Sequence, residues 1–237
     1  MANSYFSFKQ FTVHQELAAM KVGTDGALLG AWAHVPANCR ALDVGTGTGL
    51  IALMLAQRDA ALVDAVEIDA NAAEQARRNF AASPWPERLA AIHAPFAAFA
   101  EQAQPERYDL IVSNPPYFQQ SLQPSDAQRA QARHADALPP QQLLQCAVPL
   151  LKPNGALCVI LPTAIATPFA ELAAAHGLYR TAEVQVRSKP TATPFRTLMQ
   201  LERQTHGCNR TELAIHTPSG DYSPEFKGLL REFYLRF

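Results

Sequence analysis

The sequence is poor in the features that mark secreted, metal-binding and membrane proteins. Its four cysteines are far apart and form no C-x-x-C pair, which argues against a structural zinc site and a disulfide framework. The seven histidines are scattered without the spacing of metal ligands. No apolar run approaches the roughly 18 residues that cross a bilayer, and the polar, aromatic start lacks a secretory-signal pattern. We therefore expect a cytoplasmic protein that holds no metal and no membrane anchor.

A surplus of one charge is also missing from the chain as a whole. The net charge is −1 over 237 residues, which argues against broad, non-specific binding to nucleic acid. The charge is nevertheless uneven, since residues 1–116 carry 8 basic and 12 acidic residues and residues 117–237 carry 12 and 9. The basic residues between positions 180 and 210 either bind phosphates or are solvated side chains on a pair of strands. They are Arg180, Arg187, Lys189, Arg196, Arg203 and Arg210.

Hydrophobic residues make up 48% of the chain, enough for the core of one α/β domain. From residue 40, short apolar runs alternate with helical stretches, which predicts parallel strands with right-handed crossovers. The predicted strands are Ala41–Val44, Leu62–Ile68, Leu89–His93, Tyr108–Ser113 and Ala156–Leu161. The predicted helices are Leu50–Gln57, Ala70–Ala82, Pro140–Leu151, Ala164–His176 and a final Tyr222–Tyr234, with a turn at Lys152–Gly155.

The pattern changes after Gly177, where two strand-like segments follow each other without a helix between them. Tyr179–Arg187 and Arg196–Arg203 are separated only by a proline-rich link, so we predict that they are antiparallel at one edge of the sheet. The predicted fold is thus a doubly wound α/β fold with a mostly parallel sheet.

A glycine-rich loop follows the first predicted strand, with the sequence Asp43-Val-Gly45-Thr46-Gly47-Thr-Gly49. Glycines let the backbone turn sharply and approach a ligand closely. The spacing differs from the G-x-G-x-x-G of dinucleotide-binding proteins, and an acid leads it. An acid disfavours an anionic ligand and favours a cationic one, and S-adenosylmethionine carries both an ammonium and a sulfonium group.

Glu67 ends the second predicted strand, 18 residues after Gly49. A carboxylate at this place can accept both hydroxyl groups of a ribose, as in dinucleotide folds. Asp69 is instead predicted to be the N-cap of the helix that follows.

Asn114-Pro115-Pro116-Tyr117 ends the fourth predicted strand. An amino group on a base or amide is a poor nucleophile because its lone pair is delocalised. The side-chain carbonyl of Asn114 and the backbone carbonyl of Pro115 can each accept one N–H of such a group, so that its lone pair points at a methyl donor. The prolines stiffen the turn, and Tyr117 offers a ring on which a base can stack.

The segment that follows, Phe118–Leu138, is polar and long for a loop of a compact domain. Loops of this length are typical of substrate binding or of disorder. We predict a mobile substrate loop with some helix, in which Arg129 and Arg133 face the substrate.

The glycine-rich loop, Glu67 and the Asn-Pro-Pro-Tyr motif together resemble the motifs of the class I methyltransferases. The Asn-Pro-Pro-Tyr motif in particular resembles that of the enzymes that methylate amino nitrogens. That group acts on adenine-N6 of DNA or RNA, guanine-N2 of RNA, or glutamine-N5 of protein, and the core motifs do not choose among these substrates. The resemblance implies a seven-stranded sheet with an antiparallel edge strand and S-adenosylmethionine as the cofactor, with Asn114 close to it.

The flanking sequences narrow the choice, because they resemble the bacterial tRNA adenine-N6 methyltransferases that act on adenine-37 of a valine tRNA. The resemblance runs over nearly the whole chain and implies a valine tRNA as the partner. Its most specific parts are the Lys-Val-Gly-Thr-Asp stretch and the Phe-Tyr-Leu tail. The matching stretches are residues 8–11, 20–32, 83–85, 113–117, 222–223 and 233–235.

The resemblance also implies roles for residues outside the core motifs. Residues 1–38 would form a lid over the cofactor, before a methyltransferase domain at 39–237. Lys21, Gly23, Thr24 and Asp25 would lie on the cofactor side, although Thr24 and Asp25 equally suit a helix cap by residue type. The residues expected to contact RNA are Tyr117, Arg129, Arg133, Lys189, Arg196 and Arg203.

The chain departs from the family pattern after the third predicted strand. An acid often stands there and accepts a hydrogen bond from the cofactor's adenine amine, but this chain reads His93-Ala-Pro95-Phe96. Either a backbone carbonyl replaces the acid, or the adenine is held mainly by apolar contact with Phe96 and Ile68.

Several other functions remain as alternatives to tRNA methylation. Protein glutamine-N5 methyltransferases usually carry a long N-terminal helical domain, whereas only about 40 residues precede the first strand here. DNA adenine-N6 and ribosomal RNA guanine-N2 methylation are further alternatives, of which the small size and modest basic charge disfavour a DNA enzyme with a separate recognition domain. A nicotinamide oxidoreductase is opposed by the glycine spacing, and a catalytically silent RNA-binding module has no reason to keep Asp43, Glu67 and Asn114 together.

Overall fold

The computed structural model describes residues 3–115, 138–204 and 207–237. It opens on a small antiparallel hairpin of two strands, β1 (Tyr5–Ser7) and β2 (Thr12–His14). The hairpin packs against the end of the chain, since Phe8 forms an antiparallel bridge with Tyr234 and the Lys9 backbone N–H donates to the Phe233 carbonyl over 2.8 Å. Lys9 Nζ also donates to the Phe237 carbonyl over 2.9 Å.

A second, larger sheet forms the centre of the molecule. Its eight strands lie in the order β10-β8-β9-β7-β6-β3-β4-β5. Strand β9 is antiparallel to both of its neighbours, and every other neighbouring pair is parallel. The strands are β3 (Arg40–Val44), β4 (Leu62–Glu67), β5 (Leu89–His93), β6 (Tyr108–Ser113), β7 (Leu151–Pro162), β8 (Tyr179–Arg187), β9 (Arg196–Glu202) and β10 (Asn209–Ala214).

Helices cover both faces of this sheet, as a doubly wound fold requires. Residues of the first, second, third and last helices belong to one buried hydrophobic cluster, and residues of the other three belong to a second cluster. Consecutive strand residues alternate between the two, with Leu110 in the first and Ile111 in the second. The helices are α1 (Thr24–Trp32), α2 (Leu50–Gln57), α3 (Ala70–Ala81), α4 (Phe96–Gln102), α5 (Pro140–Leu150), α6 (Thr163–Ala175) and α7 (Pro224–Leu230).

The predicted α/β class, the mostly parallel sheet and the antiparallel pairing of the two strands after Gly177 are confirmed, but the number of strands and the position of the antiparallel strand differ from the prediction. The sheet has eight strands among the described residues rather than seven, because β10 adds an edge strand. Only Leu213 of β10 is buried, so its sequence has too weak a hydrophobic pattern to predict a strand. The antiparallel strand β9 lies inside the sheet between β7 and β8, and the edge strand β10 is parallel to β8.

The strand and helix bounds differ from the prediction at a few places. The predicted turn at Lys152–Gly155 is part of β7, where a step from Leu151 to Ala156 lies opposite the step from Tyr108 to Leu110. A Cβ on Gly155 would lie 2.8 Å from the Tyr108 carbonyl oxygen, which explains why a glycine stands at this bulge. The last helix covers only Pro224–Leu230, and the predicted substrate loop lies outside the described residues up to position 137.

None of the described helices is both long enough and apolar enough to span a membrane.

Candidate active site

A cavity of about 1090 Å³ opens at the carboxyl ends of the parallel strands. It lies where the strand order reverses, with β4 on one side of β3 and β6 on the other. Open α/β sheets bind their ligands at this switch point. Of the residues predicted to bind the cofactor, those that line the cavity are Lys21, Gly23, Thr24, Asp25, Gly45, Thr46, Gly47, Glu67, Ile68, Phe96 and Asn114.

The glycine loop after β3 presents its backbone to this cavity. Gly45 and Gly47 have positive φ angles of 72° and 57°, which favour glycine. A Cβ built on either residue would meet no described atom within 4 Å, so the space beside them is open to a ligand. Gly49 has a different role, because a Cβ there would lie 2.5 Å from the Phe80 ring. Gly49 is therefore required for packing where α2 begins.

Asp43 supports the loop from within the core and does not itself line the cavity. Its Oδ2 accepts hydrogen bonds from Thr46 Oγ1 over 2.6 Å and from the Ala52 backbone N–H over 3.2 Å. Its Oδ1 has no hydrogen-bond partner within the described part of the chain. Burial raises the pKa of this carboxyl to about 7, against the two hydrogen bonds, which lower it. Asp43 thus holds the loop in shape and keeps one acceptor available.

Glu67 lies at the carboxyl end of β4 and lines the cavity with its carboxylate held in place. Its Oε2 accepts from the Gly47 backbone N–H over 2.8 Å, and its Oε1 accepts from the Asp69 backbone N–H over 3.0 Å. Each carboxylate oxygen retains a second lone pair for a ligand hydroxyl. The predicted N-cap role of Asp69 is confirmed, because its side chain accepts from the Ala72 backbone N–H over 2.7 Å.

The wall of the cavity beyond Glu67 is apolar. Phe96 begins α4 and is buried, whereas the Ile68 side chain is 39% exposed. Ala94 and Pro95 complete this wall. These side chains offer contact to a flat aromatic ring without a carboxylate.

Asn114 and Pro115 enter the cavity from the end of β6. The preceding residue, Ser113, donates from its hydroxyl to the Val44 carbonyl over 2.9 Å, which ties the end of β6 to the end of β3. Asn114 is partly buried and Pro115 is buried. The structure thus brings the Asn-Pro pair, the glycine loop and Glu67 to one cavity. Pro116 and Tyr117 lie outside the described residues.

Comparison with known proteins identifies the family to which this chain belongs. The sequence model described as "Methyltransferase small domain" matches residues 27–187. A tRNA1(Val) (adenine(37)-N6)-methyltransferase from Bacteroides thetaiotaomicron is 47% identical over 238 residues, covering 99% of each chain. Proteins of the same name from Bacteroides fragilis and Aeromonas hydrophila are 45% and 46% identical, covering at least 98% of each chain. This chain belongs to their family.

Solved structures extend the likeness to the fold of this family member. A predicted O-methyltransferase from Agrobacterium tumefaciens superposes with a TM-score of 0.65 at 20% identity, covering 88% of this chain and 96% of that one. A 16S rRNA N2 G1207 methyltransferase from T. thermophilus, in complex with AdoMet and guanosine, gives a TM-score of 0.60 at 20% identity. It covers 84% of this chain and 50% of that one. At these identities the comparison shows the methyltransferase fold.

The N-terminal segment of this tRNA methyltransferase family member lines one side of the cavity. Gly23 is the N-cap of α1, so Thr24 and Asp25 are the first helical residues and line the cavity as well. Asp25 Oδ2 accepts from Arg196 Nε over 2.7 Å. The predicted cofactor residue Asp25 and the predicted RNA residue Arg196 are therefore partners of each other.

The candidate RNA residues lie at opposite ends of the strands of the central sheet. Arg196 starts β9 beside the cavity, and Lys189 follows β8 at the same end. Arg203 follows the other end of β9, roughly 23 Å away for seven residues of strand. Its guanidinium donates to the Val148 carbonyl over 2.7 Å, in the last turn of α5. At this distance we expect Lys189 and Arg196, rather than Arg203, to face RNA that enters the cavity; Arg129 and Arg133 lie outside the described residues.

The side chains that hold the segment of residues 14–23, which we call the strap, were not predicted from the sequence. Ala18 to Val22 of the strap line the cavity. The buried amide of Gln75 accepts from the Leu17 backbone N–H over 3.0 Å. The buried amide of Asn79 donates to the His14 and Thr48 carbonyls, both over 2.8 Å, and so joins the strap to the glycine loop. Polar residues on a helix usually mark its solvated face, so no sequence signal distinguished these two.

Proposed function

We propose that this protein transfers the methyl group of S-adenosylmethionine to N6 of adenine-37 in the anticodon loop of a valine tRNA, in the cytoplasm. The observation that carries this proposal is the Asn114–Pro115 pair, which opens into the same cavity as the glycine loop and Glu67. The identity of 44–47% to methyltransferases of this name supports the choice of substrate.

The residues around the cavity fit S-adenosylmethionine part by part. The open space beside Gly45 and Gly47 can take the amino-acid end, and the spare Oδ1 of Asp43 favours a cationic group nearby. The fixed carboxylate of Glu67 can accept both ribose hydroxyls, and Phe96 and Ile68 suit the adenine ring. The cofactor, when bound, supplies a methyl group already activated on a sulfonium.

The chain's own task is to align the target amine and to hold its protons. The side-chain carbonyl of Asn114 and the backbone carbonyl of Pro115 each accept one N–H, which directs the nitrogen lone pair towards the methyl group. Held in this way, the amine would accept the methyl group that the bound cofactor supplies, with the electron pair of the broken carbon–sulfur bond left on the sulfur. The extra amine proton then leaves to water, so no general base is required. Such alignment can lower a barrier by roughly 7–11 kcal/mol.

Substitution of Asn114 tests this mechanism. Asn114→Ala should lower turnover by about 100- to 1000-fold, the usual cost of losing one catalytic hydrogen-bonding group, while cofactor affinity stays near normal. Transfer of radiolabelled methyl groups measures turnover, and calorimetry measures cofactor binding. Asn154→Ala is the matched control, because Asn154 is exposed on the bulge of β7 at the opposite end of the strands. Unchanged turnover in Asn114→Ala would contradict the mechanism.

The substrate is tested with total tRNA from a strain that lacks the enzyme. Nucleoside analysis should place the label in N6-methyladenosine of a valine tRNA. Absence of label from tRNA, with cofactor binding demonstrated, would reject tRNA as the substrate and direct the search to ribosomal RNA and release-factor protein.

A further inference from the structure

Three aromatic rings form a column that runs from the core to the surface near the end of the chain. Phe226 is buried, and its ring stacks on Tyr222 with centroids 5.1 Å apart and planes 14° apart. Tyr222 stacks in turn on His216 at 5.1 Å and 20°. The Tyr222 side chain is 43% exposed. The column therefore presents aromatic surface to solvent on a buried foundation.

The loop that carries the column is held by its own backbone. Thr217 N–H donates to the Asp221 carbonyl over 2.8 Å, and Ser223 N–H donates to the Ile215 carbonyl over 2.9 Å. The His216 backbone N–H donates to the Ser188 carbonyl over 3.0 Å, and its ring Nδ1 lies 3.2 Å from the same oxygen. Because the rings are fixed before any ligand arrives, little conformational entropy is lost when one stacks on them.

The column lies at the same end of the strands as the opening of the cavity. Strand β10 is parallel to β8 and ends at Ala214, and the next residue, Ile215, lines the cavity. His216 follows directly. From β6, which carries Asn114, four strand spacings lead to β10, or roughly 19 Å. The column therefore stands beside the mouth of the cavity and cannot reach the base inside it.

Positive charge accompanies the column at this end of the strands. Lys189 is exposed, and its Nζ lies 3.4 Å from the Pro218 carbonyl, in the loop that carries the rings. Within the described ranges Lys189 forms no ion pair. An exposed ring beside an unpaired cation is how proteins hold single-stranded RNA, through base stacking and phosphate contact.

We propose that His216, supported from behind by Tyr222, stacks an unpaired nucleobase that neighbours the target adenine in the anticodon loop, with Lys189 against an adjacent phosphate. This inference rests on the proposed function and adds the surface that holds the loop while one base occupies the cavity. Stacking recognises the flat face of a base, so the column contributes affinity for an unpaired loop with little choice among bases.

Substitution of Tyr222 tests the surface, with Tyr179 as a matched control. Tyr179 is 42% exposed, close to the 43% of Tyr222, but it begins β8 and so lies at the end of the strands opposite to the cavity. In the full-length protein, Tyr222→Leu should raise the Kd and the KM for a valine-tRNA anticodon stem-loop transcript about tenfold. Tyr222→Phe should retain wild-type values, and Tyr179→Leu should change neither. Cofactor affinity should be unchanged in all three.

His216→Ala gives a second variant that leaves the buried ring of Phe226 alone, and it should also weaken RNA binding. Wild-type RNA affinity in both Tyr222→Leu and His216→Ala would overturn the inference, as would an equal loss in Tyr179→Leu. RNA binding that depends on Tyr222 without methylation at adenine-37 would support the surface and reject the proposed function. An inability of the wild-type protein to bind the transcript would overturn both.

Discussion

Asp43 shows how the burial of one residue makes the free energy of unfolding depend on pH. The carboxyl is fully buried and its pKa is raised to about 7, mainly by loss of hydration. In the unfolded chain it titrates near pH 4. Between these values the folded state holds a proton that the unfolded state has released. The contribution of Asp43 to stability is therefore greatest below about pH 4 and is lost as the pH rises to about 7.

Asp43→Asn should remove this loss, because the amide oxygen can still accept from Thr46 and Ala52 and carries no charge. The melting temperature of the variant should exceed that of the wild type increasingly as the pH rises from about 4 to 8, by the equivalent of roughly 2–4 kcal/mol. Thermal unfolding without cofactor across this range measures the difference. A constant difference at every pH would show that Asp43 does not titrate with a raised pKa.

Single site residues could be predicted where a strong strand precedes them. Glu67 and Asn114 each follow an apolar run, and parallel strands bring their carboxyl ends to one edge of the sheet. Phe195 also lines the cavity, but it follows a proline-rich link between two antiparallel strands, so no periodic hydrophobic pattern predicted its position. Partnerships such as Asp25 with Arg196 join residues 171 positions apart and depend on tertiary packing.

At the scale of elements, helix α3 controls one wall of the cofactor cavity through its buried amides. Gln75 and Asn79 lie one turn apart on the face that packs inward, and their side chains bind the strap rather than another helix. Asn79 also donates to the Thr48 carbonyl of the glycine loop. The position of α3 therefore fixes two segments that border the cofactor, although Asn79 itself does not line the cavity.

Asn79→Leu should weaken S-adenosylmethionine binding about tenfold, because the His14 and Thr48 carbonyls lose their donor and the strap loses its anchor. Each unsatisfied buried acceptor costs about 1–3 kcal/mol, so the melting temperature should fall as well. Calorimetry well below the melting temperature separates the two effects. Asn71→Leu, at an exposed position of the same helix, is the control. A lower melting temperature with unchanged cofactor affinity would leave Asn79 a purely structural role.

Most helices and strands of the parallel half could be predicted closely because they have an apolar run, in several cases bounded by glycine or proline, but helix α4 between β5 and β6 was not predicted. The elements that were missed are short or polar. Strands β1 and β2 have three residues each, and β10 buries a single side chain. None of these three strands therefore has an alternating hydrophobic pattern long enough to detect. Helix α1 is buried on nearly every side, which removes the amphipathic pattern typical of a surface helix.

At the scale of the whole molecule, the basic residues lie at two opposite ends of the strands, separated by the length of β9. Lys189 and Arg196 lie at the end of the strands where the cavity opens. Arg203 lies at the opposite end and donates to the Val148 carbonyl of α5. A charge count along the sequence combines these residues into one patch. The folded chain separates them, so only the first two can share an RNA surface with Asn114.

Salt dependence of tRNA binding should distinguish the two ends. Lys189→Gln should lower the slope of log K against log salt by about one, as expected when one phosphate contact is lost. Arg203→Gln should leave the slope unchanged and lower the melting temperature instead. Filter binding at several salt concentrations measures the slope. An unchanged slope in Lys189→Gln, or a reduced one in Arg203→Gln, would contradict this assignment.

The pairing of the hairpin with the last residues has a consequence for the order in which the chain folds on the ribosome. Lys9 leaves the exit tunnel 228 residues before its partner Phe237, and Phe8 likewise long precedes its partner Tyr234. Synthesis proceeds at about 5–20 residues per second, so this corner waits on the order of ten seconds or more with its aromatic side chains uncovered. The central sheet can therefore form while the hairpin still waits for these partners.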